Sequence, residues 1–303
     1  MIAADRQRGR TKPDWLKRRL PSGPEYERIR GLLRDHRLNT VCQEAQCPNQ
    51  FECYAGGTAT FMIMGRACTR NCRFCAVAHG PAGPPDPDEP ALVARAVEML
   101  GLRYAVVTSV TRDDLADGGA SFFADTIRAI RERMPATRIE VLIPDLGGDT
   151  ECLETILAAG PSVLNHNMET VPRLYPSVRP GAEYARSLGL LAAARRLAPD
   201  IPVKTGIMLG LGETEAELMA ALRDLRDVDC NILTMGQYLQ PSPAHLPVTR
   251  FVPPGEFQLL ENKALALGFS GVAAGPFVRS SYRAEKLYQK AVKDSLQAGS
   301  VDE

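Results

Sequence analysis

The chain has 303 residues, with 36 Lys and Arg balancing 36 Asp and Glu, 45% hydrophobic residues and 8 Cys. This fits one large α/β domain or two ordinary ones and excludes disorder as the main state. No apolar run approaches the ~20 residues of a membrane span, and MIAADRQRGRTKPDW at the N-terminus has no signal-peptide core. With zero net charge, the expectation is a cytoplasmic protein with no membrane and no nucleic-acid partner.

Residues 1–37 carry eleven Lys/Arg and five Asp/Glu, a net +6 that leaves −6 on the rest. The stretch reads as a solvated basic arm or as a docking surface for an acidic partner. Lys12 to Arg37 has room for one or two short helices broken by Pro13, Pro21 and Pro24. After Thr60 the pattern repeats. Apolar runs of strand length stand at Phe61–Met64, Tyr104–Ser109, Arg138–Ile143, Ser162–His166, Val203–Met208 and Asn231–Gln237. Amphipathic stretches of helical length follow them at Glu89–Leu100, Gly119–Arg133, Thr150–Ala159, Glu183–Leu197, Thr214–Asp227 and Glu256–Leu267. Gly101, Gly160 and Gly268 stand where left-handed helix caps are needed. The Pro-rich link Gly80–Pro90 reads as a stiff loop, and Gly271–Val278 either extends the sheet or belongs to a tail. Six successive βα units predict a parallel sheet covered by helices; an open doubly wound sheet and a full or partial barrel both satisfy the periodicity.

Six of the eight cysteines fall between positions 42 and 75. In a chain that is neither small nor exported, such clustering points to metal or redox chemistry rather than to a disulfide framework. Cys68, Cys72 and Cys75 form C-x3-C-x2-C directly after the first strand. Three thiolates on one loop suit a 4Fe-4S cluster with one iron open to another ligand, whereas zinc prefers four ligands in paired spacing. His79 is read as hydrogen-bonding within that loop. Cys42, Cys47 and Cys53 form C-x4-C-x5-C, with Pro48, Gly56 and Gly57 keeping the segment non-helical. Taken alone, this second triple suits structural zinc or redox thiols as well as a cluster; beside the first, a second cluster is favoured. Cys152 and Cys230 read as buried small hydrophobes.

The C-x3-C-x2-C after the first strand resembles the radical S-adenosylmethionine (SAM) superfamily. With the upstream C-x4-C-x5-C, the chain resembles the lipoyl synthase family within it. FMIMGRACTRNCRFCAV, VVTSVTRDDLADGGA, NHNMETV, KTGIMLGLGET, GQYLQPSPAHLPV and RSSYR extend the resemblance from about residue 40 to residue 283. Arg66 and Ala76 depart from the family's pattern, which puts only the hydrogen bonding around the first triple in doubt.

The resemblance implies an α/β fold, a partial (β/α)6 TIM-like barrel of the radical SAM type with N-terminal and C-terminal extensions. Its parts would be residues 1–60, 61–270 and 271–303. It implies two 4Fe-4S clusters and SAM as cofactors. A SAM-binding cluster would sit on Cys68, Cys72 and Cys75, and an auxiliary one on Cys42, Cys47 and Cys53, with Ser281 as fourth ligand ahead of Ser280. Arg279 beside it would neutralise or gate that ligand. SAM would be cleaved to methionine and a 5′-deoxyadenosyl radical, and two sulfurs would enter at C6 and C8 of a protein-bound octanoyl group. Implied partners are octanoylated lipoyl carrier domains (H protein, 2-oxoacid dehydrogenase acyltransferase subunits), an electron donor and an iron–sulfur cluster carrier.

Thr108, Ser109, Arg112 and Asp113 follow the second strand, and Asn165, Asn167 and Glu169 the fourth. Glu169 is a candidate for the SAM amino group, and Lys204 and Arg186 for its carboxylate or for nearby carboxylates of the chain. Gly210-Leu211-Gly212 fits a backbone approach to SAM or an ordinary turn, and His166 and His245 read as hydrogen-bonding residues. A biotin-synthase-like enzyme, or a zinc-stabilised module docking an acidic partner, are the alternatives; the paired triples with RSSYR disfavour both.

Overall fold

The computed structural model describes residues 12–17, 24–35, 38–44, 47, 49–55 and 60–298. Residues 1–11, 18–23 and 36–37 of the basic stretch lie outside them, as do Pro48, Gly56 and Gly57. Helix α1 spans Pro24–Asp35, strand β1 Asn39–Thr40, and helices α2 and α3 Val41–Glu44 and Gln50–Ala55. The repeating part then runs β2 Thr60–Ile63, α4 Glu89–Met99, β3 Tyr104–Ser109, α5 Ala120–Arg133, β4 Arg138–Leu142, α6 Thr150–Ala158 and β5 Val163–Asn165. It continues with α7 Tyr175–Val178, α8 Tyr184–Leu197, β6 Val203–Leu209, α9 Glu215–Asp227, β7 Ile232–Gln237, α10 Pro254–Ala266, β8 Gly271–Gly275 and α11 Ala284–Ala298.

One sheet holds all eight strands in sequence order. β1 is antiparallel to β2, every later pair is parallel, and the edge strands β1 and β8 do not pair with each other. The architecture is therefore a partial (β/α)6 barrel, six βα units followed by β8. Gly271–Gly275 belongs to the sheet, which resolves the choice between sheet and tail. Gly101, Gly160 and Gly268 have φ of 60°, 75° and 95°, the left-handed geometry expected of them.

Register decides what faces the inside, because alternate residues of a strand point to opposite faces. Phe61, Val107, Val141, Leu164 and Val203 are aligned across β2 to β6 and lie in the main hydrophobic core. One residue further along each strand, Met62, Thr108, Leu142, Asn165 and Lys204 form the adjacent row. That row lines the barrel interior, and its first three members border the cavity described below.

The segment around the upstream cysteines differs from expectation. It contains helix: Cys42 lies in α2 and Cys53 in α3, where the Cys53 N–H donates to Asn49 O at 2.9 Å. Helices of four and six residues are too short to show an apolar stripe, so periodicity could not find them.

Candidate active site

Loops at the carboxyl ends of β2, β3, β4, β5 and β7, with the tail after β8, contribute to one cleft, the usual position of a site in such folds. The loop after β2 carries Cys68, Cys72 and Cys75, all free thiols. It closes on itself through Cys68 N–H to Ala78 O at 2.8 Å and Gly80 N–H to Cys68 O at 3.0 Å, which bridges Cys68 and His79. Neighbouring loops hold it in place. Thr69 N–H donates to Thr111 O, Arg73 N–H to Val178 O and Leu246 N–H to Arg73 O. His245 donates from Nε2 to Cys75 O at 2.9 Å, while its Nδ1 accepts from the Ser242 hydroxyl at 2.8 Å. The Thr111 N–H points at Cys68 Sγ, 3.3 Å away.

Burial pushes the Cys75 thiol up to about 12, with Cys72 and Cys68 adding to the rise. Burial also raises Cys72, opposed by the Arg179 guanidinium. Arg179 is held by Asn167 O at 2.9 Å, Met168 O at 3.2 Å and the Tyr175 hydroxyl at 3.1 Å, with its plane 5.2 Å from the Tyr175 ring. After β5, Glu169 adopts φ 64° and is fixed by its backbone: its N–H donates to Gly206 O and its C=O accepts from Met208 N–H. Such a conformation in a non-glycine residue marks a constrained position. Burial raises the Glu169 carboxyl, and Arg179, Asn167 and Arg279 oppose the rise.

The tail reaches the same place. Ser280 Oγ donates to Asn167 Oδ1 at 2.8 Å, and Asn167 Nδ2 donates to Glu169 Oε1 at 3.0 Å. Glycines on β6 and β7 make room for it: a Cβ on Gly236 would stand 2.1 Å from Val278 O, and one on Gly206 3.0 Å from Ser280 Oγ. Asn49 Nδ2 donates to Phe277 O at 2.6 Å and the Tyr282 hydroxyl to Glu52 Oε1 at 2.9 Å, tying the tail to α3. Burial pushes the Cys42 thiol up to about 12, helped by Cys47 and Cys53.

These pieces enclose a cavity of about 490 Å³ bordered by Cys42, Cys47, Cys68, Cys72, Cys75 and Ser281. A second cavity of about 640 Å³ is bordered by Cys53 and, again, by Ser281. Among the described residues, no three His, Cys, Asp or Glu side chains converge tightly enough for a single metal ion. The six thiols are free, and those of Cys68, Cys72 and Cys75 border one cavity with Cys42 and Cys47, a donor set that suits multi-iron clusters whose thiolates bind different irons. Ser109 Oγ and Arg179 Nε, buried and without hydrogen-bond partners among the described residues, belong to residues on the cavity wall, which fits a polar ligand there.

Thr108, Ser109, Asn167, Glu169, Arg279, Ser280 and Ser281 all border the cavity. Asn165, Lys204 and Arg186 do not. The Lys204 ammonium is committed to Glu140 at 2.8 and 3.0 Å, and Asn165 Nδ2 and the Tyr104 hydroxyl donate to the same carboxylate. Arg186 bonds to Glu183 and stands 3.6 Å from Asp145. Arg112, almost wholly buried, forks onto Asp114 and reaches Met64 O and Gly83 O, so it braces the Pro-rich loop. Gly210-Leu211-Gly212 is an ordinary turn whose three N–H groups all donate to the Glu213 carboxylate. Arg66 pairs with Asn39 and Glu44. Cys152 and Cys230 are buried as expected. Sequence reasoning missed Arg70, Asp145 and Arg179; the arginine inside CTRNC was the one available signal.

The radical SAM superfamily matches residues 62–225, and the N-terminal domain of lipoyl synthase of that superfamily matches residues 3–47. A lipoyl synthase of Desulfotalea psychrophila is 68% identical over 280 residues, covering 92% of this chain and 94% of its own. The chain belongs to the lipoyl synthase family. A Thermus thermophilus lipoyl synthase is 54% identical, covering 94% of this chain and 88% of the relative. Among solved structures, HydG, a maturase of the FeFe-hydrogenase, superposes with TM-score 0.57 at 15% identity, over 77% of this chain and 54% of that one, and shows the fold alone. As a lipoyl synthase the chain is a radical SAM sulfur-inserting enzyme that works with SAM and two 4Fe-4S clusters. Among the described residues, no helix is long and apolar enough to cross a membrane.

Proposed function

We propose that Cys68, Cys72 and Cys75 hold the SAM-binding cluster, and that Cys42, Cys47, Cys53 and Ser281 hold the auxiliary one. One observation carries this reading: thiols of both triples and Ser281 border one cavity. When bound, SAM and its cluster supply a carbon radical able to take hydrogen from an unactivated C–H bond, which side-chain acids and bases cannot do. The chain's own residues supply the surroundings. Met62, Val110, Ile143, Ile207, Met208 and Leu239 give the cavity an apolar wall suited to an octanoyl chain and poor for water. Glu169, Asn167 and Ser109 supply polar atoms for SAM beside Cys72. Arg279, close enough to Glu169 to act on its charge, sits next to the serines as a counter-charge for the auxiliary site. A serine oxygen is a harder, weaker iron ligand than thiolate and so can be released.

The substrates on this reading are octanoylated lipoyl carrier domains in the cytoplasm, such as H protein and 2-oxoacid dehydrogenase acyltransferase subunits. An electron donor and an iron–sulfur cluster carrier serve the clusters, and the segment from α1 to α3 and the tail after β8 act as the extensions that cap the barrel. Lys12 of the basic stretch borders the cavity, where an acidic carrier would arrive. The test supplies anaerobically reconstituted protein with SAM, a reductant and an octanoylated carrier domain, and weighs the carrier. Mass gain from two sulfurs with release of 5′-deoxyadenosine is expected. Ser281→Ala should lose sulfur insertion while SAM cleavage continues; unchanged sulfur insertion removes the serine ligand.

A further inference from the structure

The loop that carries Cys68, Cys72 and Cys75 has an ionic fastening that leaves the sulfurs free. Arg70 lies two residues from both Cys68 and Cys72. Its Nε and Nη2 donate to the two oxygens of Asp113 at 2.7 and 2.8 Å, and its Nη1 and Nη2 to Asp145 at 2.8 and 2.6 Å. Asp113 stands after β3 and Asp145 after β4, so one guanidinium ties the loop after β2 to the next two strands. The Asp145 carboxylate is wholly buried and the Arg70 side chain is 9% exposed, which shields the pair from solvent screening. Burial alone would raise the Asp145 carboxyl, but Arg70 holds it below its ordinary range. Asp145 is itself fixed by the Gly147 N–H at 3.2 Å. Two carboxylates gripped at once is a geometry that a planar five-donor head provides and an ammonium does not.

We infer that Arg70 is a positioning residue that holds the Cys68–Cys75 loop in its ligand-bearing shape independently of the cluster. The inference rests on the proposed ligand set, because only then does the loop's shape matter for chemistry. Thr69 adds to the fastening, accepting from Asp113 N–H at 3.1 Å and donating to Thr111 O at 3.0 Å. A loop ordered in this way presents three sulfurs already spaced, so that cluster binding does not carry the cost of ordering it.

Hydrogen exchange on the full-length chain, stripped of iron, tests this directly. In Arg70→Lys, peptides covering residues 67–78 should exchange at least tenfold faster than in the unmodified chain, with β2 to β6 unchanged. Asp113→Asn, which removes one fork at its more exposed end, should move the same peptides by a smaller factor. A spectroscopic arm uses a background in which Cys42, Cys47 and Cys53 are all alanine, reconstituted with iron and sulfide. There, the reduced cluster of Arg70→Lys should give broadened electron-paramagnetic resonance lines and a lower iron content. Loop exchange equal to that of the unmodified chain in both variants overturns the inference. Faster exchange spread evenly over the barrel also overturns it, since that is a loss of global stability. The ligand reading fails separately: Cys68→Ala in the triple-alanine background that still holds full iron removes it, whatever the exchange shows.

Discussion

Glu89 and His166 carry opposite pH dependences into the fold. Burial at the start of α4 raises the Glu89 carboxyl from 4.5 to about 7, although the Met64 N–H donates to it at 2.6 Å. The folded state therefore keeps a proton that the unfolded state loses, and the stability associated with it is complete below pH 4.5 and lost as pH rises through 7. Burial lowers His166 from 6.5 to about 4, with Arg179 adding to the shift. Its Nδ1 donates to Ile143 O at 2.9 Å and its Nε2 accepts from Ser187 at 3.0 Å, a neutral ring. That contribution is present above pH 6.5 and lost as pH falls towards 4. Glu89→Gln, neutral at every pH, should gain stability relative to the unmodified chain as pH rises from 4.5 to 7, by about 2–3 kcal/mol in urea titrations. A pH-independent difference would contradict the assignment. The cysteine triples were legible at this scale from their spacing, and the RSSYR serines only through the family resemblance. Arg70 and Arg179 were not, because nothing in a sequence tells a guanidinium that meets buried partners from one that meets water.

At the scale of elements, the tail following β8 behaves as a part fitted to two glycines. Val278 to Ser280 lie against β6 and β7 where Gly206 and Gly236 leave space, and the tail's other side meets α3. Gly236→Ala should destabilise by about 1–3 kcal/mol through overpacking. The far-UV circular dichroism should hold while residues 276–283 become open to limited proteolysis; a tail that stays protected would show that the contact is dispensable. The helices and strands after Thr60 were readable from periodicity because each buries a continuous face; α8, expected at Glu183–Leu197, runs Tyr184–Leu197. α2 and α3 were not readable, since they are too short for a stripe and are held by contacts with α1, β1, β2 and the tail.

Across the whole molecule, Lys204 and Glu140 join β6 to β4 in the interior below the cavity, each less than 2% exposed. Burying both charges is costly, and leaving one unpartnered is costlier, about 3–5 kcal/mol. Glu140→Gln should therefore lower the melting temperature by several degrees, whereas adding Lys204→Met, with the new amide oxygen still accepting from Asn165 or Tyr104, should recover part of the loss. A single variant that melts with the unmodified chain would rule out the pair as a stabilising element. Lys204 reads in the sequence as a partner for the SAM carboxylate or for a nearby one, because burying an unpaired charge is costly. Register supplied a carboxylate from within the chain, 64 residues away.

The open arc also sets an order in time. Each strand pairs with its neighbours in sequence, so the sheet can form by successive additions, each closing one βα crossover. The bonds from Asn49 to Phe277 and from Tyr282 to Glu52 join residues 228 and 230 apart. On the ribosome, Asn49 and Glu52 emerge long before Phe277 and Tyr282 and must wait for them. The junction of the tail with the segment around α3 is thus among the last parts of the fold to close, and on the ligand set proposed above the auxiliary site is completed with it.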